Sequence, residues 1–259
     1  LSCILIALAM PKFKAEKISG LFILSGALTA LIGIFMSAYA PDSLFEGRMG
    51  GTTGNPNILG AVLVPTIFLT LPRLNRKEKF PWIALALQLF ALFQTGNRAS
   101  WLVLAVITLA YFFTQKKKSP VAILSTLLAT LSFAFIGIDR ILQTDSLYTR
   151  LQLYWLALKE TLTHPFFGIG FEHTQTILEN PDFIQLPDRA HQPFLDMALN
   201  AGIPSALALL ALSVATFIAL HKKNRALAYA FLGLFFALQT NFFTILTAFQ
   251  YFVLLGLAL

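Results

Sequence analysis

Nine apolar runs divide this chain, at residues 1–10, 18–40, 56–72, 81–94, 100–114, 120–138, 202–220, 226–240 and 244–259. About 20 helical residues are needed to cross the hydrocarbon core of a bilayer. A backbone inside lipid must also satisfy its own N–H and C=O groups, so these runs are expected to be helices. The predicted fold class is all-α, a polytopic transmembrane helix bundle. The runs 81–94, 100–114, 226–240 and 244–259 are short for full spans and are expected to tilt or to be extended by their flanks. Residues 139–200 form a long, more polar loop.

Only 12% of residues are charged and 57% are hydrophobic. An ordinary soluble domain carries roughly twice that charge, and so much apolar surface outside lipid would drive association. The net charge of +7 suggests nucleic acid in a soluble protein, but here the loop placement argues otherwise. Lys12, Lys14, Lys17, then Arg73, Arg76, Lys77, Lys79, then Lys116, Lys117, Lys118, then Lys222, Lys223, Arg225 occupy alternate loops, with only Glu16 and Glu78 as acids among them. The positive-inside rule makes that set cytoplasmic, and nucleic acid is not an expected partner. The other loops, 41–55, 95–99, 139–200 and 239–243, then share the outer face, which in a bacterium is periplasmic. Cys3 is the one cysteine, so neither an internal disulfide nor a CxxC metal site can form. The chain starts without Met inside one apolar stretch and stops inside another. It therefore reads as a single membrane domain, 1–259, truncated at both ends.

Within the long loop, residues 146–163 read as an amphipathic helix. Leu147, Leu151, Tyr154, Leu158 and Leu162 recur at spacings of three and four. Ser146 or Asp145 is a suitable cap, and His164-Pro165 ends the helix before a turn at Gly168 and Gly170. Such a helix is expected to lie along the outer interface with Trp155 near the headgroups.

Four residues on the outer side are candidates for chemistry. Arg98, in the Gln94–Ser100 turn between two apolar runs, is either an interfacial snorkelling arginine or a fixed cation facing a polar cavity. Arg150 starts the amphipathic helix, where a cation opposes the helix dipole; it either answers to an anion or is a solvated surface charge. His191 can accept a proton at physiological pH or serve as a hydrogen-bonded structural residue. Arg189 is its helper or a loop charge. The loop Gly50–Asn57 is either a helix cap at the membrane face or the polar wall of a substrate cavity, with Asn55 and Asn57 as supporting groups. No HExxH, zinc-ligand spacing, Walker A or GxSxG pattern occurs.

The series GNPNILG at 54–60, TGNRASW at 95–101, R-x4-W-x8-HPFFGIGF at 150–171 and RAHQPFLDMALNAGIP at 189–204 resembles the O-antigen ligase / O-antigen polymerase superfamily over about residues 45–215. The resemblance implies a GT-C-like helical membrane glycosyltransferase. Its expected donor is a glycan linked to undecaprenyl pyrophosphate, and its acceptor a glycolipid, a glycan or a protein. No metal, cofactor or nucleotide sugar is expected. The implied seat is the bacterial cytoplasmic (inner) membrane, with the active site on the periplasmic side and part of it carried by 139–200. Arg98 and Arg150 match family arginines and would bind the pyrophosphate. His191 matches the family histidine and would be the catalytic base, supported by Arg189 and Gln192. Lipid-facing grooves between helices would hold the polyprenyl tail. Three positions depart from the family pattern: His-Gln at 191–192 replaces His-Asn, Asn200 stands where glutamate is often found, and Ile203-Pro204 replaces a Gly-Gly-like turn. Asp196 is a candidate substitute for the missing carboxylate. A polymerase of the same superfamily and a polytopic transporter are the alternatives.

Overall fold

The computed structural model describes residues 2–41, 44–45, 47–75, 78–114, 145–171, 173 and 189–259. The expected run at 120–138, the Lys116–Lys118 loop and most of 172–188 lie outside the described residues. Among the described residues the regular structure is helical: α1 (Ser2–Ala9), α2 (Ala15–Tyr39), α3 (Pro56–Thr70), α4 (Phe80–Thr95), α5 (Arg98–Thr114), α6 (Asp145–Thr163), α7 (Pro193–Ala201), α8 (Ile203–Lys223), α9 (Arg225–Leu238) and α10 (Ile245–Ala258). The all-α expectation holds, and the described apolar runs begin and end within a few residues of these helices. Three segments, Ala15–Tyr39, Pro56–Leu74 and Ile203–Lys223, are long and apolar enough to cross a membrane. This is a membrane protein.

Local chemistry accounts for where several helices start. Asn55 caps α3 by accepting from the Asn57 N–H, and Pro56 follows at the first helical position, where a missing N–H costs nothing. Thr244 and Thr247 exchange bonds in a capping box at the start of α10. Gly96, at φ +57°, closes α4 in the left-handed conformation that glycine adopts without a Cβ clash.

The chain divides into two compact units. The first comprises Leu1–Ile138, Thr216–Ala237 and Thr244–Leu259. Its centre is α3, buried along its whole length except at Asn57. Helices α2, α4, α5 and α10 pack around it. Gly26 lets α2 approach so closely that a Cβ there would collide with the Thr66 hydroxyl of α3. Small residues at membrane helix contacts serve this purpose. Beside it, Gln88 of α4 donates to the Ile23 carbonyl at 3.2 Å and accepts from the Thr70 hydroxyl at 3.1 Å, so the three helices share a satisfied polar lock.

Three residues of the basic loops are tied to backbone carbonyls within the first unit. At the basic-loop end, Arg73 donates to the Glu16 carbonyl at 2.7 Å. Lys223 and Arg225 donate to the carbonyls of Ala258 and Thr114, the last turns of α10 and α5. Cations are favoured there by the helix dipole. At the other end, loop 44–55 meets the turn after α4.

The second unit comprises Asp139–Ala215 and Leu238–Phe243. Helix α6 packs on α7 through Leu153, Ala157, Ala190 and Leu199. The helix expected at 146–163 is present, starting at Asp145. Arg150 therefore falls in its second turn rather than at its start. The protein-facing stripe is Leu153, Ala157 and Thr161, while Leu151, Leu158 and Leu162 of the leucine series are exposed. The side chain of Leu147 lies outside the described residues.

Candidate active site

The two most distinctive sequence motifs of the first unit form one structure. Asn97 accepts from the Ser100 N–H and so caps α5, while its side-chain amide donates to the Asn57 carbonyl at 3.0 Å. Gly60, one turn further along α3, lies directly beneath: a Cβ there would stand 2.6 Å from the Asn97 amide nitrogen and 2.8 Å from the Ser100 hydroxyl. The Met49 N–H donates to the Gln94 carbonyl at 3.0 Å, tying the glycine-rich loop to the end of α4. Arg98, half-buried, is the first residue of the helix that this arrangement holds. Asn55 acts as the cap of α3, and Asn57 gives both its carbonyl groups to the same cluster.

Arg48 was not singled out by the sequence reading, yet it fastens this cluster. Its Nε donates to the Thr95 carbonyl at 2.8 Å and its Nη2 to the Asn57 side-chain oxygen at 2.9 Å. One guanidinium thus spans the start of α3 and the end of α4, a geometry that lysine's point charge cannot reproduce. The available signal was a basic residue in an otherwise acid-bearing outer loop, two positions before Gly50. Arg48→Ala is expected to remove both bonds. Charge-assisted bonds contribute about 1.5–3 kcal/mol each when buried, and half-exposure reduces that. A net loss of about 1–3 kcal/mol is expected, read as a lower midpoint of thermal unfolding in detergent.

In the second unit, His191 has φ +55°, the one positive φ at a non-glycine residue among those described. Histidine visits this left-handed region more readily than most residues, but it still costs energy. Its neighbours account for the conformation. Gln192 caps α7, accepting from the Leu195 N–H at 2.6 Å, and its amide donates to Gln239 at 2.8 Å. The Asp196 carboxylate accepts from the Ala190 N–H at 2.6 Å. Asp196 therefore orients the backbone immediately before His191. Asn200 donates its side-chain amide to the Asp196 carbonyl at 2.7 Å.

Aromatic contacts complete the setting. The His191 ring meets Phe242 edge-on, with centroids 5.1 Å apart, and the Arg189 guanidinium lies 4.5 Å from the same Phe242 ring. Cation–π attraction of this kind holds an arginine without consuming all its donors. Arg150 is half-buried on α6. One turn on, the Tyr154 hydroxyl is pushed up by burial, pulled down by the Arg150 guanidinium and raised again by the Asp196 carboxylate. Tyr154 therefore stays protonated at neutral pH.

The first unit also contains an apolar cavity of about 420 Å³ lined by α2, α3 and α10, with Phe22, Val62, Phe249 and Val253 among its walls.

Residues 83–210 match the sequence family described as O-antigen ligase. The match covers just under half of the 259 residues, and within it lie Arg98, Arg150, Arg189 and His191. No curated protein matches the chain. The Gly50–Asn57 loop falls outside the matched segment, but Asn57 is bonded to Arg48 and Asn97, so the fold joins it to the matched turn.

Proposed function

Because the chain carries the O-antigen ligase family pattern across residues 83–210, we propose that it transfers a glycan from an undecaprenyl-pyrophosphate carrier to a hydroxyl of an acceptor, with the ligase reading ahead of the polymerase one. The acceptor oxygen attacks the anomeric carbon and the bond from that carbon to the pyrophosphate oxygen breaks. Direct attack inverts the configuration there. Undecaprenyl pyrophosphate departs with the bonding electrons, and the acceptor proton passes to His191.

The residues supply what these steps demand. The diphosphate carries negative charge, which increases on the leaving oxygen as the bond breaks. Arg98 and Arg150 each offer a planar donor fork suited to phosphate oxygens and stabilise that charge. His191 is the general base. Arg189 and Gln192 support it, the first against Phe242 and the second as the cap of α7. On this reading neither a metal nor a nucleotide sugar is required, because the pyrophosphate is already a good leaving group. The apolar cavity beside α3 suits a hydrocarbon tail. The site works at the periplasmic face of the inner membrane.

The observation that carries the proposal is the backbone of His191. A non-glycine residue held at φ +55° by a cap, a carboxylate and an aromatic ring is strained in the manner of functional positions.

The test uses the protein reconstituted in vesicles with carrier-linked glycan and, separately, with free solutes. The expected result is consumption of the carrier-linked glycan, with undecaprenyl pyrophosphate released. Solute uptake without carrier turnover would replace the transferase by a transporter. Product extended on a second carrier-linked unit would shift the assignment from ligase to polymerase.

A further inference from the structure

The motif His164–Phe171 has no role in the chemistry above, yet its backbone is held by bonds to a distant part of the second unit. Its backbone is stitched to the junction of α7 and α8. The Ile203 N–H donates to the Pro165 carbonyl at 2.7 Å, the Ile169 N–H to the Leu199 carbonyl at 2.8 Å and the Gly170 N–H to the Asn200 carbonyl at 3.1 Å. Gly168 and Gly202 make the fit possible. A Cβ on Gly168 would strike the Leu199 carbonyl, and one on Gly202 the Phe166 carbonyl. Both also have positive φ.

This turn holds its aromatic side chains outward. Phe166, Phe167 and Phe171 are 72%, 88% and 68% exposed. The surface continues along α6, where Leu151, Trp155, Leu158 and Leu162 are exposed in a line at spacings of four, three and four. The exposed polar residues of α6 (Thr149, Lys159 and Thr163) occupy a different face. At 3.6 residues per turn the two exposed faces are about 110° apart. Helix α6 thus has three faces: one packed on protein, one apolar and exposed, one polar and exposed. A helix wholly in water has no reason to sort its exposed residues in this way, whereas one lying at a lipid–water boundary does.

Depth is fixed by α8. Ile203 starts a segment long and apolar enough to cross a membrane, and Leu207, Leu210 and Val214 of that helix are also exposed. A turn bonded to Ile203 sits at the level where α8 leaves the bilayer.

We infer that Phe166, Phe167 and Phe171, together with the Leu151–Leu162 face of α6, form a wedge inserted into the headgroup–acyl boundary of the lipid surface. The wedge anchors the second unit at the depth where the polar group of any lipid-linked substrate lies. The inference does not depend on the transferase reading, since it rests on α6, the turn and α8 alone.

Because Cys3 is the one cysteine, the test is direct. Cys3→Ser is combined singly with Leu162→Cys, Phe167→Cys or Lys159→Cys in the full chain. Each thiol is given a nitroxide label and the protein is reconstituted in vesicles of phosphatidylethanolamine and phosphatidylglycerol. Collision rates are measured with oxygen, which concentrates in lipid, and with a water-soluble nickel chelate. The expected result is an oxygen-to-chelate ratio several-fold higher at 162 and 167 than at 159. Equal chelate access at 159 and 167 would overturn the inference by placing the wedge in water. Shielding of 162 and 167 from both agents would also overturn it, since the face would then be covered by protein.

Discussion

Arg98→Ala lowers glycan transfer by about 100-fold or more while leaving membrane insertion and the fold of the turn intact. The first part follows from the role proposed for the guanidinium: removing one donor aimed at developing negative charge typically costs about 10²–10³ in rate. The second follows from the way the turn is built. Gly96 closes α4, Asn97 caps α5, and Asn57 receives the Asn97 amide. Those bonds hold the turn through atoms other than the Arg98 side chain. A cation in the first turn of a helix also opposes the dipole, an effect of about 0.3–1 kcal/mol, so its removal favours the helix. Stability preserved while activity is lost is the mark of a group kept for function rather than folding. Arg98→Lys should restore part of the rate, because it keeps the charge but loses the planar fork. Wild-type transfer by Arg98→Ala would remove Arg98 from the site.

His191→Asn is the second decisive substitution. Asparagine is among the residues best suited to positive φ, so the backbone at 191 and the bonds of Gln192 and Asp196 beside it should survive. What is lost is the nitrogen proposed to take the acceptor proton. General-base catalysis is worth about 10²–10⁴ in rate, and a fall of that size is expected with the fold retained. His191→Ala is a poorer probe, because alanine is strained at φ +55° and couples an activity loss to a stability loss. If His191→Asn transfers glycan as fast as the parent, the base lies elsewhere and the strained backbone has a structural purpose.

The sequence reading and the fold agree most closely where lipid is the solvent. The described apolar runs became helices at nearly the expected residues, and Arg73, Lys223 and Arg225 of the basic loops each donate to a backbone carbonyl of another helix. The Asn55-Pro56 cap was legible because a cap is a local device, written in adjacent residues. The α6 stripe shows where the reading was incomplete. The sequence displayed an amphipathic helix, but the packed face is Leu153, Ala157 and Thr161, and the leucine series lies on the exposed side. A helix with two apolar faces offers no clue to which one meets protein and which one meets lipid.

The positions of the apolar helices were determined by the sequence alone, since hydrophobic length is a property of each segment taken separately. The tertiary structure alone decided what surrounds the candidate residues. Arg48 reaches Thr95, Asn97 reaches Asn57 and Gln192 reaches Gln239 across 40 to 47 residues of chain. The left-handed backbone of His191 depends on its Gln192 and Asp196 neighbourhood. Hydrogen bonds between distant segments exist only after the helices have packed, and no local pattern of hydrophobicity or charge encodes them.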